Sequence, residues 1–125
     1  MKVVDSSVWL EFVSDGPHAE ACGAHLADLA EVVTPTAVLF EVYRALRRDD
    51  REPAAMRTVA EMEYTRFVSV DQTIGIVAAD VSIDHGLAAV DAIIYATARL
   101  QRAELVTLDT DFRGLPGVTL IGSEG

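Results

Sequence analysis

The sequence is poor in several residue types, and each shortage excludes a class of protein. Cys22 is the single cysteine, so neither an internal disulfide nor a cysteine metal cluster can form, and a reducing compartment is expected. Lys2 is the single lysine, which leaves none for a phosphate-binding glycine-rich loop. Apolar runs long enough to cross a bilayer without a charge are absent, and Asp5 interrupts the segment where a signal peptide would be apolar. We therefore expect a cytoplasmic protein that does not enter a membrane.

The chain has the size and apolar content of one folded unit. Its 125 residues are 50% hydrophobic, which is enough for a sizeable core, and we expect a single domain over residues 1–125. The net charge of -10 argues against a broad basic surface that would neutralise phosphates along a nucleic acid. If the protein acts on nucleic acid, a metal ion must assist.

Short apolar segments alternate with amphipathic ones along the chain. The pattern predicts strands at about residues 2–5, 32–34, 67–70, 104–108 and 118–121. It predicts helices at about residues 6–12, 17–31, 35–52, 54–63, 72–83 and 87–102, the first capped by Ser6 or Ser7 and the fifth by Asp71. Such alternation is typical of a short parallel sheet with helices on both faces, a three-layer α/β/α sandwich.

Asp91 is the least expected charge in the sequence. It lies within an otherwise uncharged stretch, residues 87–98, rich in alanine and isoleucine. Burying an unpaired carboxylate is unfavourable, and no base lies within one turn of it on the predicted helix. A cationic partner from elsewhere is therefore expected.

Three further acids are predicted to meet Asp91. Asp5 and Asp109 each end a predicted strand, and Glu41 lies about two turns into the helix after the second strand. Ligands of open parallel sheets bind beyond the carboxyl ends of the strands, where these acids would converge. Clustered carboxylates require protons or cations, and oxygen-only ligands favour Mg²⁺ or Mn²⁺. The alternatives are helix capping by Asp5 and Asp109 and a surface ion pair between Glu41 and Arg44.

Other polar residues have supporting or undecided roles. Asp111 is either a fifth ligand acting through water or the cap of the following turn, and the cap is preferred. Ser6 and Thr107 either orient ligands or serve ordinary capping and strand-end roles. The histidines do not neighbour the four acids in sequence, which disfavours a zinc site: His18, His25 and His85.

The ordered set of motifs resembles the PIN-domain ribonucleases, and among them the VapC-type toxins. The resemblance lies in residues 3–11, the glutamate of the third helix, residues 90–98 and residues 105–112, and it spans the whole chain. It implies a PIN-like fold and a Mg²⁺- or Mn²⁺-dependent endoribonuclease that hydrolyses RNA by a metal-activated water. The implied metal-binding and catalytic acids are Asp5, Glu41, Asp91 and Asp109, with Asp111 as a variable addition. It further implies a homodimer and a cognate antitoxin protein that blocks the site.

A run of arginines follows Glu41 at helical spacing. Arg44, Arg47, Arg48 and Arg51 recur every three or four residues and are predicted to share one helical face. They are candidate contacts for RNA phosphates. The equally weighted alternative is a solvated face paired with nearby acids, Asp49, Asp50 and Glu52.

Three other functions fit parts of the pattern. Receiver-like and phosphatase-like domains also cluster acids around Mg²⁺, but they need a lysine in the pocket, and Lys2 is predicted at the opposite end of its strand. A non-catalytic binding module of the same fold would tolerate loss of the acids. A PIN nuclease for RNA processing would differ from a toxin only in lacking an antitoxin.

Overall fold

The computed structural model describes residues 1–122, which form a five-stranded sheet and six α-helices. The strands are β1 (Lys2–Val4), β2 (Val32–Pro35), β3 (Arg66–Val68), β4 (Glu104–Thr107) and β5 (Val118–Leu120). The helices are α1 (Ser6–Val13), α2 (Ala19–His25), α3 (Thr36–Arg48), α4 (Glu52–Met62), α5 (Gln72–His85) and α6 (Ala89–Leu100). The last three residues of the predicted 1–125 domain lie outside the described part.

The sheet is parallel throughout, with strand order β3-β2-β1-β4-β5. The chain starts in the central strand, moves outward to β3, and then crosses back to β4 on the other side of β1. Because parallel crossovers are right-handed, connections that run in opposite directions place their helices on opposite faces of the sheet. The predicted three-layer α/β/α sandwich is confirmed, and the strand order reverses between β1 and β4.

The central strands are covered on both faces. In β1, Val3 pairs with Val33 and Leu105, and Val4 pairs with Val106. Successive strand residues point to opposite faces, yet these residues are all at most 1% exposed. Buried aliphatic pairs of this kind hold β1 and β4 in register, which fixes where the residues after each strand lie.

The predicted helix after Pro17 is wrong in part. α2 ends at His25, and a separate 3₁₀ turn covers Leu29–Glu31. The side chain of Asp28 accepts a hydrogen bond from the backbone N–H of Ala30 at 3.2 Å, which starts the new turn. Local side-chain hydrogen bonding by aspartate competes with helix continuation. The apolar residues continue at helical spacing through this break, so the sequence pattern did not indicate it.

The ends of α6 also differ from the prediction. The helix begins at Ala89 and ends at Leu100, two residues inside the predicted range at each end. The two ends of the preceding helix, α5, follow the prediction. Asp71 caps its start by accepting a hydrogen bond from Ile74 N at 2.8 Å, and Gly86, with φ of 70°, ends it. Asp91 therefore lies in the first turn of α6 and not in its middle.

Neither α5 nor α6 alone is a candidate membrane span, although both are apolar. Among the described residues, no single helix combines the length and apolar content needed to cross a bilayer. α5 and α6 meet those two criteria only when taken together, and they are bent by 115° at the break between them.

Candidate metal centre

Asp5 and Asp109 follow neighbouring strands at the same edge of the sheet. Asp5 N donates to Val106 O of β4 at 2.9 Å, which extends the β1–β4 ladder to the residue after β1. Asp109 comes two residues after the end of β4. Both acids thus lie at the carboxyl edge of the sheet, where the strand order reverses, as open parallel sheets arrange their ligand sites.

Asp5 is a buried carboxylate with one oxygen bound and one unpartnered. Oδ2 accepts hydrogen bonds from Thr107 Oγ1 at 2.8 Å and from Ser7 Oγ at 2.9 Å. Oδ1 is fully buried and makes no hydrogen bond within residues 1–122. Burial raises the pKa of Asp5, and the hydrogen bonds from Thr107 and Ser7 oppose this effect. A buried acceptor without a partner is unfavourable, so Oδ1 is suited to a ligand.

Asp91, Asp109 and Asp111 form the tightest acidic group. One carboxylate oxygen from each lies within 4.8 Å of the others. Burial, and after it the negative charges of Asp109, Asp5, Glu41 and Asp111, together raise the pKa of Asp91 to about 6. Two such charges at 4 Å repel by about 4 kcal/mol at an effective dielectric near 20, so the group requires protons or a cation, and its geometry fits a metal ion.

The first turn of α6 modifies the reasoning about Asp91. A carboxylate near a helix N-terminus is stabilised by the helix dipole, typically by about 0.3–1 kcal/mol. The pKa of Asp91 is nevertheless raised, because burial and four neighbouring acids outweigh that contribution. The expectation of a compensating group for Asp91 therefore stands, and helix N-terminal stabilisation alone does not satisfy it.

Glu41 reaches the same edge from α3. Its Oε1 accepts from Ser6 Oγ at 2.9 Å, and its pKa is raised by burial and by the charges of Asp5 and Asp109. The structure thus brings together all four acids singled out in the sequence, with Asp5 and Glu41 outside the tightest group. Their roles as metal ligands stay predictions.

Capping is divided among the acids differently from what was expected. Asp109 caps the 3₁₀ turn Thr110–Phe112, since its Oδ1 accepts from Asp111 N at 2.9 Å. Asp111 was the preferred cap, but the cap hydrogen bond at this turn belongs to Asp109, and the carboxylate of Asp111 lies in the acidic group. Asp5 occupies the N-cap position of α1 but makes no side-chain cap hydrogen bond.

Three hydroxyl groups position the acids, and sequence reasoning identified two of them. Ser6 binds Glu41, and Thr107 both donates to Asp5 and accepts from Asp109 N at 2.9 Å. Ser7 was considered only as a helix cap. Its Oγ donates to Asp5 and accepts from Leu108 N at 3.1 Å, which links the first turn of α1 to the residue after β4. The available signal was a serine two residues after an acid at a strand end.

The arginines do not share one face. Arg44 and Arg48 line a cavity of about 290 Å³ together with Glu41 and Ser6. Arg47 instead donates to Tyr43 at 2.8 Å and lies over its ring. Arg51 lies beyond the end of α3 and donates to Ser14 Oγ at 2.9 Å. Arg51 is thus removed from the predicted face, and no ion pair joins these arginines to acids in residues 1–122.

The donor set fits a hard cation. The acidic group and its neighbours offer carboxylate and hydroxyl oxygens, which are the ligands that Mg²⁺ and Mn²⁺ prefer. His25 is elsewhere, within hydrogen-bond distance of Lys2 Nζ at 3.1 Å, at the amino edge of the sheet. Lys2 is therefore remote from the acids, as predicted, and the lysine-dependent receiver and phosphatase chemistries lack their key residue.

Comparison with known proteins gives a consistent result. The model of the PIN domain family matches residues 2–118. A toxin-antitoxin complex from Klebsiella pneumoniae contains a chain that is 27% identical, with a TM-score of 0.81 and coverage of 95% of this chain and 96% of that one. No curated protein matches by sequence.

Two further solved structures share the fold at lower identity. VapC20 of Mycobacterium tuberculosis, described as a toxin that cleaves the sarcin-ricin loop, is 20% identical with a TM-score of 0.79, covering 94% of this chain and 97% of that one. A chain of VapBC2 from Rickettsia felis, bound to a fragment of its promoter DNA, is 15% identical with a TM-score of 0.74, covering 95% and 96%. At these identities the likeness concerns the fold alone.

Proposed function

This chain belongs to the PIN domain family, and from that premise we propose that it is a Mg²⁺- or Mn²⁺-dependent endoribonuclease, the toxin of a toxin-antitoxin pair. One observation carries the proposal. The carboxyl edge of the sheet carries five interacting acids, one of which, Asp5, has a buried and unpartnered oxygen, and no basic side chain is bonded to any of them within residues 1–122. Crowding of this kind is relieved by protons or by a cation, and near neutral pH, above the Asp91 pKa of about 6, a cation is the effective means.

The ligand set that we propose is Asp5, Glu41, Asp91 and Asp109, with Asp111 as a fifth acid. Ser7 and Thr107 hold one oxygen of Asp5 and leave the other for the ion. The bound ion supplies Lewis-acid polarisation of the phosphoryl group and lowers the pKa of an attacking water.

The protein's own residues control access to this centre. The carboxylates repel a phosphodiester until their charge is compensated, so RNA binding requires the cation. Arg44 and Arg48 border Glu41 and contact the phosphates of the incoming strand. Ser6 holds Glu41 beside them through a 2.9 Å hydrogen bond. Basic charge is thereby concentrated beside the reacting bond in a protein of net charge -10.

The partners follow from the related structures. The Klebsiella pneumoniae chain is part of a toxin-antitoxin complex, and a FitAcB structure from Neisseria gonorrhoeae also shares this fold. An antitoxin would block the centre by inserting a cationic side chain where the metal binds. We further propose that the chain folds as a single domain over residues 1–125, forms a homodimer and a hetero-oligomer with its antitoxin, and works in the cytoplasm.

Two alternatives keep the same fold. A PIN nuclease of RNA processing would use the same acids but have no antitoxin, and a short reading frame directly upstream would favour the toxin. A non-catalytic binding module would not need the acids. The buried and unpartnered oxygen of Asp5 favours an enzyme, because a module would gain stability by replacing it.

The test is cleavage of total RNA by the purified protein, followed by mapping of the cut ends. We expect cleavage with Mg²⁺ or Mn²⁺, none in excess chelator, and none by Asp5→Asn. Glu104→Gln is the matched control, because it removes one carboxylate charge at the start of β4, at the opposite edge of the sheet. Cleavage that persists in excess chelator refutes the mechanism, and cleavage by Asp5→Asn refutes the assignment of that residue.

A further inference from the structure

A second cavity lies beside Asp109, and it is separate from the cavity that Arg44 and Arg48 line. It has a volume of about 400 Å³, and its lining includes Leu108 and Thr110, which flank Asp109 in the chain. Glu11 also lines it, one helical turn after Ser7, the residue that binds Asp5. Residues one turn apart on a helix are about 6 Å apart, so the cavity adjoins the centre. Its volume lies in the range of small-ligand sites.

Arg113 provides positive charge at this cavity. It follows the 3₁₀ turn that begins after Asp109, and its side chain is exposed. Within residues 1–122 its guanidinium makes no ion pair, although Glu11 lines the same cavity. A guanidinium with its donors available matches phosphate oxygens in a bidentate geometry.

His18 provides a flat surface in the same cavity. The backbone of Gly122, with φ of 82°, approaches its ring so closely that a Cβ there would lie 3.2 Å from the ring carbon Cε1. The absence of a side chain at Gly122 therefore lets the ring pack against the backbone. Imidazole rings are among the groups on which unstacked RNA bases stack.

Glu11 holds this wall in place. Its Oε2 accepts from His18 N at 2.9 Å, and its carboxylate occupies the space that a side chain at residue 16 would need. The turn between α1 and α2 is thereby fixed, and with it the start of the segment that carries His18. Glu11 is thus a positioning residue and not a ligand-binding one.

We propose that this cavity binds one nucleotide of the RNA strand, next to the phosphodiester that is cleaved. Arg113 contacts the phosphate of that nucleotide, and the ring of His18 stacks on its base. The inference rests on the proposed function, since it places the RNA strand across the acidic centre, from the cavity of Arg44 and Arg48 to this one. A phosphate site and a stacking surface side by side favour a nucleotide over an acidic segment of a protein.

The test uses a short single-stranded RNA that the wild-type protein cleaves, with kcat and KM measured over a range of salt concentrations. For Arg113→Ala we expect KM to rise about tenfold with kcat little changed. The slope of log(kcat/KM) against log[salt] should become shallower by about 0.7, the value for one phosphate contact on a single strand. His18→Ala should raise KM about fivefold without changing the slope, because stacking involves no phosphate.

Arg99→Ala is the matched control, because Arg99 is an exposed arginine in the last turn of α6, away from the acids. It should change neither KM nor the slope. Arg113→Lys should keep the slope and raise KM less, and it replaces Arg113→Ala if that variant has a lower melting temperature. Nucleoside monophosphates should inhibit the wild type and His18→Ala more strongly than Arg113→Ala.

The outcomes separate the two proposals. Cleavage by the wild type with equal KM and slope in Arg113→Ala and Arg99→Ala overturns this inference alone. Loss of antitoxin binding in Arg113→Ala with unchanged RNA kinetics would identify the cavity as a protein-binding site and also overturn it. A wild-type protein that cleaves no RNA overturns both proposals.

Discussion

Charged side chains are paired at one edge of the sheet and crowded with like charges at the other. At the amino edge, charged groups have partners: the Met1 amino group lies 3.5 Å from Glu31, Lys2 contacts His25, and Thr119 donates to Glu104. At the carboxyl edge, the hydrogen bonds that the five acids make within residues 1–122 come from hydroxyl groups and backbone amides, and no ion pair compensates their charge there. The same strands carry both edges, so the difference does not arise from the fold.

The charged groups of the amino edge are compatible with the fold alone, whereas the acids of the carboxyl edge are the ones that the proposed ligand requires. Exposed pairs such as Met1 and Glu31 contribute little to stability, typically about 0–1 kcal/mol. Five like charges at one edge oppose folding, and the proposed metal centre gives a reason for their presence. Substitutions at the two edges should therefore have opposite consequences for activity and for stability.

The largest difference is expected in RNA cleavage. Asp109→Asn removes a charge from the acidic group and should lower kcat/KM by about 100-fold or more, because changes to groups that merely support metal ligands already cost about 10–100-fold. Glu31→Gln at the amino edge should leave kcat/KM within about twofold. Equal activity of the two variants would show that the acidic edge has no catalytic role.

The hydroxyl groups that position the acids should matter next. Thr107→Val keeps the volume of the side chain but removes the bonds to Asp5 and to the backbone of Asp109. We expect kcat/KM to fall by about 10–100-fold, with a weaker apparent affinity for Mg²⁺. Thr107→Ser should recover most of the activity. If Thr107→Val cleaves RNA normally, these hydrogen bonds serve only the local fold.

Loss of an acid should lower activity but raise the stability of the metal-free protein. In metal-free protein, Asp91→Asn removes one of the crowded charges and should raise the melting temperature by about 4 °C. Added Mg²⁺ should stabilise the wild type and not the variant. A lower melting temperature of Asp91→Asn in chelator would contradict the view that these charges oppose folding.

The stability of the metal-free protein should depend on pH because of the same crowding of acids around Asp91. The folded pKa of Asp91, about 6, lies above its ordinary value of 3.8, so the folded state binds a proton more tightly than the unfolded state. This group therefore stabilises the metal-free fold below about pH 4, and the contribution is lost as pH rises through about 6. Denaturant unfolding in chelator should show this decline for the wild type and a flatter profile for Asp91→Asn.

The smallest effect is expected at the amino edge. Glu31→Gln removes the partner of the Met1 amino group, an exposed pair in which Glu31 is 60% exposed. The free energy of unfolding should change by at most about 0.5 kcal/mol, with or without Mg²⁺. A change larger than 1 kcal/mol would mean that the two edges do not differ in the way described above.

The strands could be predicted because each is a short apolar run between turn signals, and β1, β2 and β4 begin at the predicted residues. The acids at strand ends could be predicted from the parallel topology alone. The geometry around them could not: the position of Asp91 depends on where α6 begins, and the contact between Ser7 and Leu108 joins residues 101 apart. Such distances reflect tertiary packing, which local periodicity does not record.

Strand order has a consequence for how the protein is made. Asp5 and Glu41 leave the ribosome early, whereas Asp91, Asp109 and Asp111 lie in the last third of the chain. β4 must insert beside β1 before these groups can meet, and this pairing spans about a hundred residues of sequence. A half-synthesised chain therefore has no assembled centre, and any activity of that centre begins only after the last third of the chain has been made.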